Sequence, residues 1–226
     1  MSAVFAWTGV TVAAYGAAVW LYRRSGHHLL CLPVLTGTAL VLGALALAHT
    51  DYPVYADATR ALRWLTGPAI IALAVPLYRQ AALLRRMAGP LLGALLAGCL
   101  ASVLGTLALA RALGTPLPFA LSLAPKAATM PIAMQAAEGA GGLPAVAALA
   151  VVATGVLGTL FAGPVLRRLR IDDDTTRSFA LGLVAHAIGT ARALQTQPQS
   201  VAFAALAMGL NGVCTALVLA LLARWL

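Results

Sequence analysis

Long uncharged stretches alternate with short arginine-containing segments along most of the chain, a pattern that indicates membrane-spanning helices. A helix that crosses the roughly 30 Å hydrocarbon core of a bilayer needs about 20 apolar residues. Six stretches meet or approach this length, and we interpret them as full spans: Met1–Tyr22, Leu29–Ala48, Trp64–Tyr78, Ala88–Ala110, Leu143–Leu166 and Gln199–Ala223. The first stretch has no basic residue before it, and Arg23 and Arg24 follow it, so we expect a retained helix and not a signal peptide.

The composition excludes an ordinary soluble domain. Apolar residues make up 62% of the chain and charged residues 9%, whereas soluble domains carry about a quarter charged residues. The formal net charge of +9 would suggest a nucleic-acid partner in a soluble chain, but here we interpret it as membrane topology and expect no nucleic acid. The prediction is a single all-α integral membrane domain, residues 1–226, that crosses the cell (plasma or inner) membrane several times.

The arginines predict the orientation of the spans. Lys and Arg collect in cytoplasmic loops, which places Arg23–Arg24, Arg79–Arg86 and Arg167–Arg170 on the inside. All three groups lie inside only if residues 115–142 enter the membrane and return to the same face. If the interrupted segments cross instead, the protein has eight crossings and the third group lies outside.

Two segments, 117–137 and 176–196, have the composition of interrupted helices. Proline removes a backbone donor and disfavours helix in the residue before it, so Pro125 and Pro131 predict helix ends at Ala124 and Met130. In the second segment the predicted break covers residues 185–190, with Gly189 as its flexible element.

The two interrupted segments also resemble each other. FALSLAPKAATMPIAMQ (119–135) aligns without gaps to FALGLVAHAIGTARALQ (179–195) with seven identities, and VLGTL occurs before each segment. We interpret residues 88–226 as two duplicated units of inverted orientation, and residues 1–87 as scaffold helices. Inverted repeats with broken helices are typical of transporters whose substrate binds near the bilayer midplane.

Cationic side chains at the breaks are the candidate chemistry. Lys126 is the only lysine, His186 occupies the aligned position in the second break, and Arg192 follows. Cations without matching acids, close to half-helix N-termini, favour binding of a small organic anion. The predicted binding residues are Lys126, Arg192, His186, Thr129, Thr190, Ser122 and Asn211.

Three alternatives stay open at these positions. Lys126 and Glu138 can form a structural ion pair, which would leave Arg192 without a matching acid. His186 can be a neutral space-filling residue or can carry a proton during transport. Asn211 can face the anion or can form a hydrogen bond between helices.

We predict no enzyme activity, no cofactor and no metal site. Ser122 and Lys126 are four residues apart, as a nucleophile and its base can be on a helix, but Pro125 interrupts that helix and no oxyanion element is evident. Cys31, Cys99 and Cys214 lie in apolar stretches without a CxxC pair, so we expect buried thiols.

GPAIIALAVPLYRQ (67–80), LAPKAATMPIAM (123–134) and AHAIGTARA (185–193) resemble the signature segments of the LrgB/CidB family. The resemblance implies one of two functions. One is a carrier for small monocarboxylates such as glycolate, glycerate or pyruvate, because the C-terminal half of the plastid glycolate/glycerate translocator is similar to this family. The other is antiholin-like regulation of murein-hydrolase export and lysis.

The resemblance also implies a small LrgA/CidA-type membrane partner, and a homo-oligomer is left open. The uncompensated cations at the breaks favour the carrier, with alternating access of the anion to each side.

Overall fold

The computed structural model describes residues 2–26 and 28–225, so Met1, at the start of the first predicted span, lies outside the described residues. Those residues form α-helices and two short 3-10 helices (Leu29–Cys31 and Pro198–Ser200), with no strand among them, which confirms the all-α prediction. The α-helices are α1 Ser2–Arg24, α2 Pro33–Leu47, α3 Tyr52–Ala58, α4 Arg60–Ala72, α5 Ala74–Arg79, α6 Ala81–Arg86, α7 Ala88–Ala112, α8 Leu117–Leu123, α9 Met130–Gly139, α10 Pro144–Arg168, α11 Asp174–Thr196 and α12 Val201–Leu222.

Four segments of the described chain are long and apolar enough to cross a membrane. They are Val4–Arg24, Ala88–Ala112, Pro144–Arg168 and Pro198–Leu222, and each coincides with a predicted span. The bent pair Pro33–Leu47 and Tyr52–Ala58, with an angle of 117° between its helices, raises the number to five if it is one span.

The other two predicted spans are interrupted in the structure. The stretch 29–48 begins with a 3-10 turn, and α2 starts only at Pro33, whose fixed φ suits the first turn of a helix. The stretch 64–78 is divided at Leu73 between α4 and α5. Pro76 has no N–H to donate to the carbonyl of Ala72, which removes one helical hydrogen bond at this division.

The chain forms two compact units, Met1–Ala74 and Val75–Leu226, and the predicted boundary between residues 87 and 88 lies within the second. In the first unit α1 packs against α2 and α3. The edge of the Trp7 ring contacts Tyr55, with 5.8 Å between the ring centroids, and the Thr11 hydroxyl lies 3.1 Å from the Tyr55 hydroxyl. These contacts hold α3 against α1.

In the second unit α12 packs against α7, α9 and α11. One face of α7 is buried, and its core residues recur every fourth position: Leu91, Leu95, Cys99, Val103 and Leu107. The adjacent leucines of α7, Leu92, Leu96, Leu100 and Leu104, are exposed. A helix with one packed apolar face and one exposed apolar face suits a protein that is surrounded by lipid.

Candidate functional site

The first break separates α8 from α9 and occupies residues 124–129. Ala124 is the C-cap of α8, and α9 begins at Met130, so both helix ends lie within one residue of their predicted positions. Pro125 lies inside the break, and Pro131 lies in the first turn of α9. The Thr129 side chain forms no cap hydrogen bond with α9. The two prolines therefore bracket a stretch of irregular backbone that carries Lys126.

The second break is concentrated at His186 in α11, whose φ of 40° and ψ of −126° are outside the helical region. Gly189, the predicted flexible element, has no positive φ. Its role is steric, because a Cβ at this position would collide with the carbonyl oxygen of Leu181 from the first half of the helix. A histidine therefore adopts the unusual backbone conformation, and the glycine makes room for the close contact with Leu181 across the kink.

Lys126 lines a cavity of about 420 Å³ between the first break, α7, α10 and α11. The walls are mostly apolar, and the hydroxyl-bearing residues among them are Ser102, Thr106 and Thr154. The half-buried Lys126 ammonium donates hydrogen bonds to the Thr106 hydroxyl and, over 3.4 Å, to the Ser102 carbonyl. The cavity thus combines one cation with a few hydroxyls.

Lys126 has no acidic counter-charge among the described residues. Glu138, which the sequence allows as an ion-pair partner of Lys126, is exposed and forms no ion pair with it. The ion pair that the described residues do form joins Arg177 and Asp172, 3.5 Å apart, in the loop before α11 and its first turn. A cation that is held only by neutral groups in an apolar surrounding attracts an anion, because no fixed carboxylate competes for it.

His186 does not line the Lys126 cavity as the structure describes it, although the two residues align in the repeat. It is 3% exposed, and its Nε2 lies 2.9 Å from the Val151 carbonyl. A carbonyl oxygen only accepts, so Nε2 carries the hydrogen. Gly155 makes room for the ring, since a Cβ there would lie 2.6 Å from its Cε1. The Thr190 hydroxyl donates to the His186 carbonyl over 2.9 Å.

Ser122 and Arg192 also lie apart from the described cavity lining. The buried Ser122 hydroxyl donates to the Pro118 carbonyl and accepts from the Leu143 N–H, both over 2.6 Å. It thereby ties α8 to the start of α10, and it forms no hydrogen bond with Lys126. Arg192 is half-buried, in the half of α11 that follows His186. The anion-binding roles of both residues, and of Thr129, stay predictions.

Asn211 on α12 bonds to the first break and to the turn of α11 that precedes the second break. Its Nδ2 donates to the Ala127 carbonyl over 2.9 Å and to the Leu183 carbonyl over 3.1 Å. The hydrogen bond between helices that the sequence left open is therefore present. Among the predicted site residues only Lys126 lines the cavity, and Asn211 binds the backbone of two residues in its wall.

Sequence reasoning missed the hydroxyls of the cavity wall. Ser102 and Thr106 are four residues apart and lie on one face of α7, where the Thr106 hydroxyl and the Ser102 carbonyl accept from the Lys126 ammonium. The usable signal is this spacing of polar residues inside an otherwise apolar span. Among the described residues, no group of three or more His, Cys, Asp or Glu side chains is placed to hold a metal ion.

Comparisons with known proteins identify the family of the chain. The model of the LrgB-like family matches residues 11–225. The chain is 37% identical to the uncharacterized protein YxaC of Bacillus subtilis, covering 90% of this chain and 88% of YxaC. It is 30% identical to the antiholin-like protein LrgB of Bacillus cereus (strain B4264), covering 93% of this chain and 91% of that protein. No solved structure matches the chain. The apolar helices and these matches confirm the resemblance seen in the sequence: the chain is a multi-pass membrane protein that belongs to the LrgB-like family.

Proposed function

We propose that this protein is an antiholin-like membrane protein of the LrgB type. The observation that carries the proposal is the similarity to the antiholin-like protein LrgB of Bacillus cereus over nearly the whole of both chains. The names of the relatives favour this function over carriage of an anion. In this role the protein acts in the plasma or inner membrane with an LrgA/CidA-type partner, and restrains the export of murein hydrolases.

A second candidate function, carriage of a small monocarboxylate, is favoured by one feature of the structure. The Lys126 ammonium faces a cavity of about 420 Å³ without a carboxylate partner among the described residues. A single cation beside neutral hydroxyls suits a ligand with one negative charge, because a second charge would lie against apolar walls. The break beside a half-helix N-terminus is also typical of anion sites in transporters.

One pair of assays separates the two functions. The rate of lysis is measured in bacterial cells without their own LrgB-type protein, with and without the protein and an LrgA-type partner. Uptake of labelled glycolate is measured in proteoliposomes that contain the purified protein. Each assay compares wild type with Lys126→Met and with the control Thr159→Val, whose hydroxyl donates only to the Gly155 carbonyl of its own helix.

The antiholin-like function predicts slower lysis with wild-type protein and with both variants. Carriage predicts glycolate uptake that falls at least tenfold in Lys126→Met and is unchanged in Thr159→Val. Uptake that Lys126→Met leaves intact would contradict an anion site at this residue. Lysis that is the same with and without the protein would contradict the antiholin-like function.

A further inference from the structure

Asn211 joins two parts of the chain that are far apart in sequence. Its side-chain nitrogen donates to the carbonyl of Ala127, within the first break, and to that of Leu183, three residues before His186. Both oxygens lie about 3 Å from one nitrogen, so they are no more than about 6 Å apart. We propose that Asn211 is a positioning residue that ties the first break to the turn of α11 just before the second break, and thereby sets the width of the Lys126 cavity.

Each of the two carbonyls lies beside an interruption of its helix. In a continuous helix the Ala127 carbonyl would accept from residue 131, but Pro131 has no N–H. The Leu183 carbonyl would accept from Ala187, which lies beyond the non-helical backbone of His186. A carbonyl without a donor is costly at membrane depth, where no water replaces the missing partner. The Asn211 amide supplies a donor at both places.

The other end of the same amide supports this role. Asn211 is 1% exposed, and its Oδ1 is buried without a hydrogen-bond donor among the described groups. An apolar residue of similar size would avoid the cost of burying that oxygen. The presence of an amide is therefore explained by its nitrogen, which bonds to the first break and to the turn before the second, and not by the filling of space in the core.

The two bonded residues both line the Lys126 cavity. Ala127, directly after Lys126, belongs to the wall formed by the first break, and Leu183 belongs with Val184 to the wall formed by α11. Loss of the Asn211 bonds frees these walls to separate, which moves the ammonium away from the α11 side of the cavity. The consequence for a bound anion rests on the second proposed function, whereas the tie itself depends only on the two hydrogen bonds.

Hydrogen exchange of the protein in lipid nanodiscs tests the tie. Asn211→Leu is compared with Thr215→Val, one turn later on α12, where an equally buried hydroxyl lies 3.5 Å from the Cys99 sulfur, its hydrogen-bond partner among the described residues. We expect amide exchange at least tenfold faster in both 124–129 and 183–187 for Asn211→Leu, and wild-type rates for Thr215→Val. Faster exchange in only one break, or the same increase in the control, would overturn the proposal.

Asn211→Ser is a second variant in case the leucine prevents folding. A serine hydroxyl bonds to the carbonyl four residues earlier in its own helix, so the protein should fold while both break carbonyls lose their donor. The expected exchange rates equal those of Asn211→Leu. Wild-type exchange at both breaks in a folded Asn211→Ser protein would overturn the tie.

Glycolate uptake tests the effect on the cavity. We expect a KM at least tenfold higher in Asn211→Leu, and an unchanged KM in Thr215→Val. An unchanged KM in a variant whose breaks exchange faster would overturn the claim that Asn211 sets the cavity. If wild-type protein takes up no glycolate, the second proposed function fails, while hydrogen exchange still decides whether Asn211 ties the breaks.

Discussion

The two breaks occupy equivalent positions in the repeated sequence, yet they are built differently. The first extends over residues 124–129, contains Pro125 and separates two distinct helices, α8 and α9. The second is confined to one residue, His186, within a helix that otherwise continues from Asp174 to Thr196. A break spread over several residues leaves Lys126 free to face a cavity, whereas the sharp break at His186 encloses the imidazole against α10.

This difference shows that aligned residues of a repeat need not share a function. Lys126 contacts the hydroxyl and carbonyl of cavity-wall residues, and His186 contacts the Val151 carbonyl through a single ring nitrogen. The Lys126 ammonium therefore faces a cavity, whereas the His186 imidazole is enclosed by protein. The predictions below test whether the second break is as tightly constrained as this comparison requires.

The largest expected effect is that of Gly189→Ala. The added Cβ would collide with the Leu181 carbonyl and approach the Ala185 side chain. Neither group can move aside easily, because the first is backbone and the second is a single methyl group. We expect a loss of about 3 kcal/mol or more in the free energy of unfolding, measured by denaturant titration in mixed micelles.

Gly209→Ala is the matched control for this substitution. Gly209 also lies in a helix, but a Cβ there would meet nothing within 4 Å, so alanine should be neutral or stabilising by up to about 1 kcal/mol. Equal stabilities of the two variants would show that the second break adapts as easily as an open helix surface.

The sequence predicts much of this architecture, because proline and apolar length act locally. Pro125 and Pro131 indicate the first break within one residue, and four predicted spans coincide with long apolar helices. The second break is located only to residues 185–190, and its flexible residue is assigned to Gly189 although His186 carries the positive φ. Gly189 is needed because it packs closely against Leu181, and such a contact cannot be predicted from the local sequence.

The site is less predictable than the fold for the same reason. Lys126 stands out as the only lysine in an apolar segment, whereas its neighbours Ser102 and Thr106 come from a different helix. The cavity position of a residue depends on which helices pack together. Composition and spacing within one segment therefore identify Lys126 as a candidate, but they do not predict which residues of other helices surround it.

A comparison of His186→Ala with His186→Gly tests the backbone at the second break, with a smaller expected effect. Both variants remove the imidazole and its bond to Val151, so the spaces that they leave in the core differ by one methyl group. Only alanine retains a Cβ in a conformation that glycine adopts without strain, which costs about 1 to 3 kcal/mol. We expect His186→Gly to be the more stable variant by that amount in the same unfolding titration. Greater stability of the alanine variant would show that the backbone is helical at this residue.

The smallest effect concerns how the two broken helices begin. The first, α8, follows Pro116 without a side-chain cap, whereas the Asp173 carboxylate caps α11 by accepting from the Thr176 N–H and hydroxyl, both over 2.7 Å. These hydrogen bonds hold the pKa of Asp173 below its ordinary value. The capping stabilisation is therefore complete at neutral pH, and it is lost as the pH falls through the lowered pKa of the folded state.

Asp173→Ala should cost about 1 kcal/mol at pH 7, because the cap bonds are lost. Asp173→Asn keeps an acceptor for the Thr176 N–H and should retain most of that stability without titrating between pH 7 and acid. The midpoint of thermal unfolding in detergent, measured from pH 7 downwards, checks both variants against wild type. The difference in unfolding midpoint between wild type and Asp173→Ala should narrow in acid. The difference between Asp173→Asn and Asp173→Ala should stay the same. If the difference in unfolding midpoint between wild type and Asp173→Ala stays constant down to about pH 2, the carboxylate charge does not contribute to the cap. The start of α11 would then be stabilised no more by charge than the start of α8.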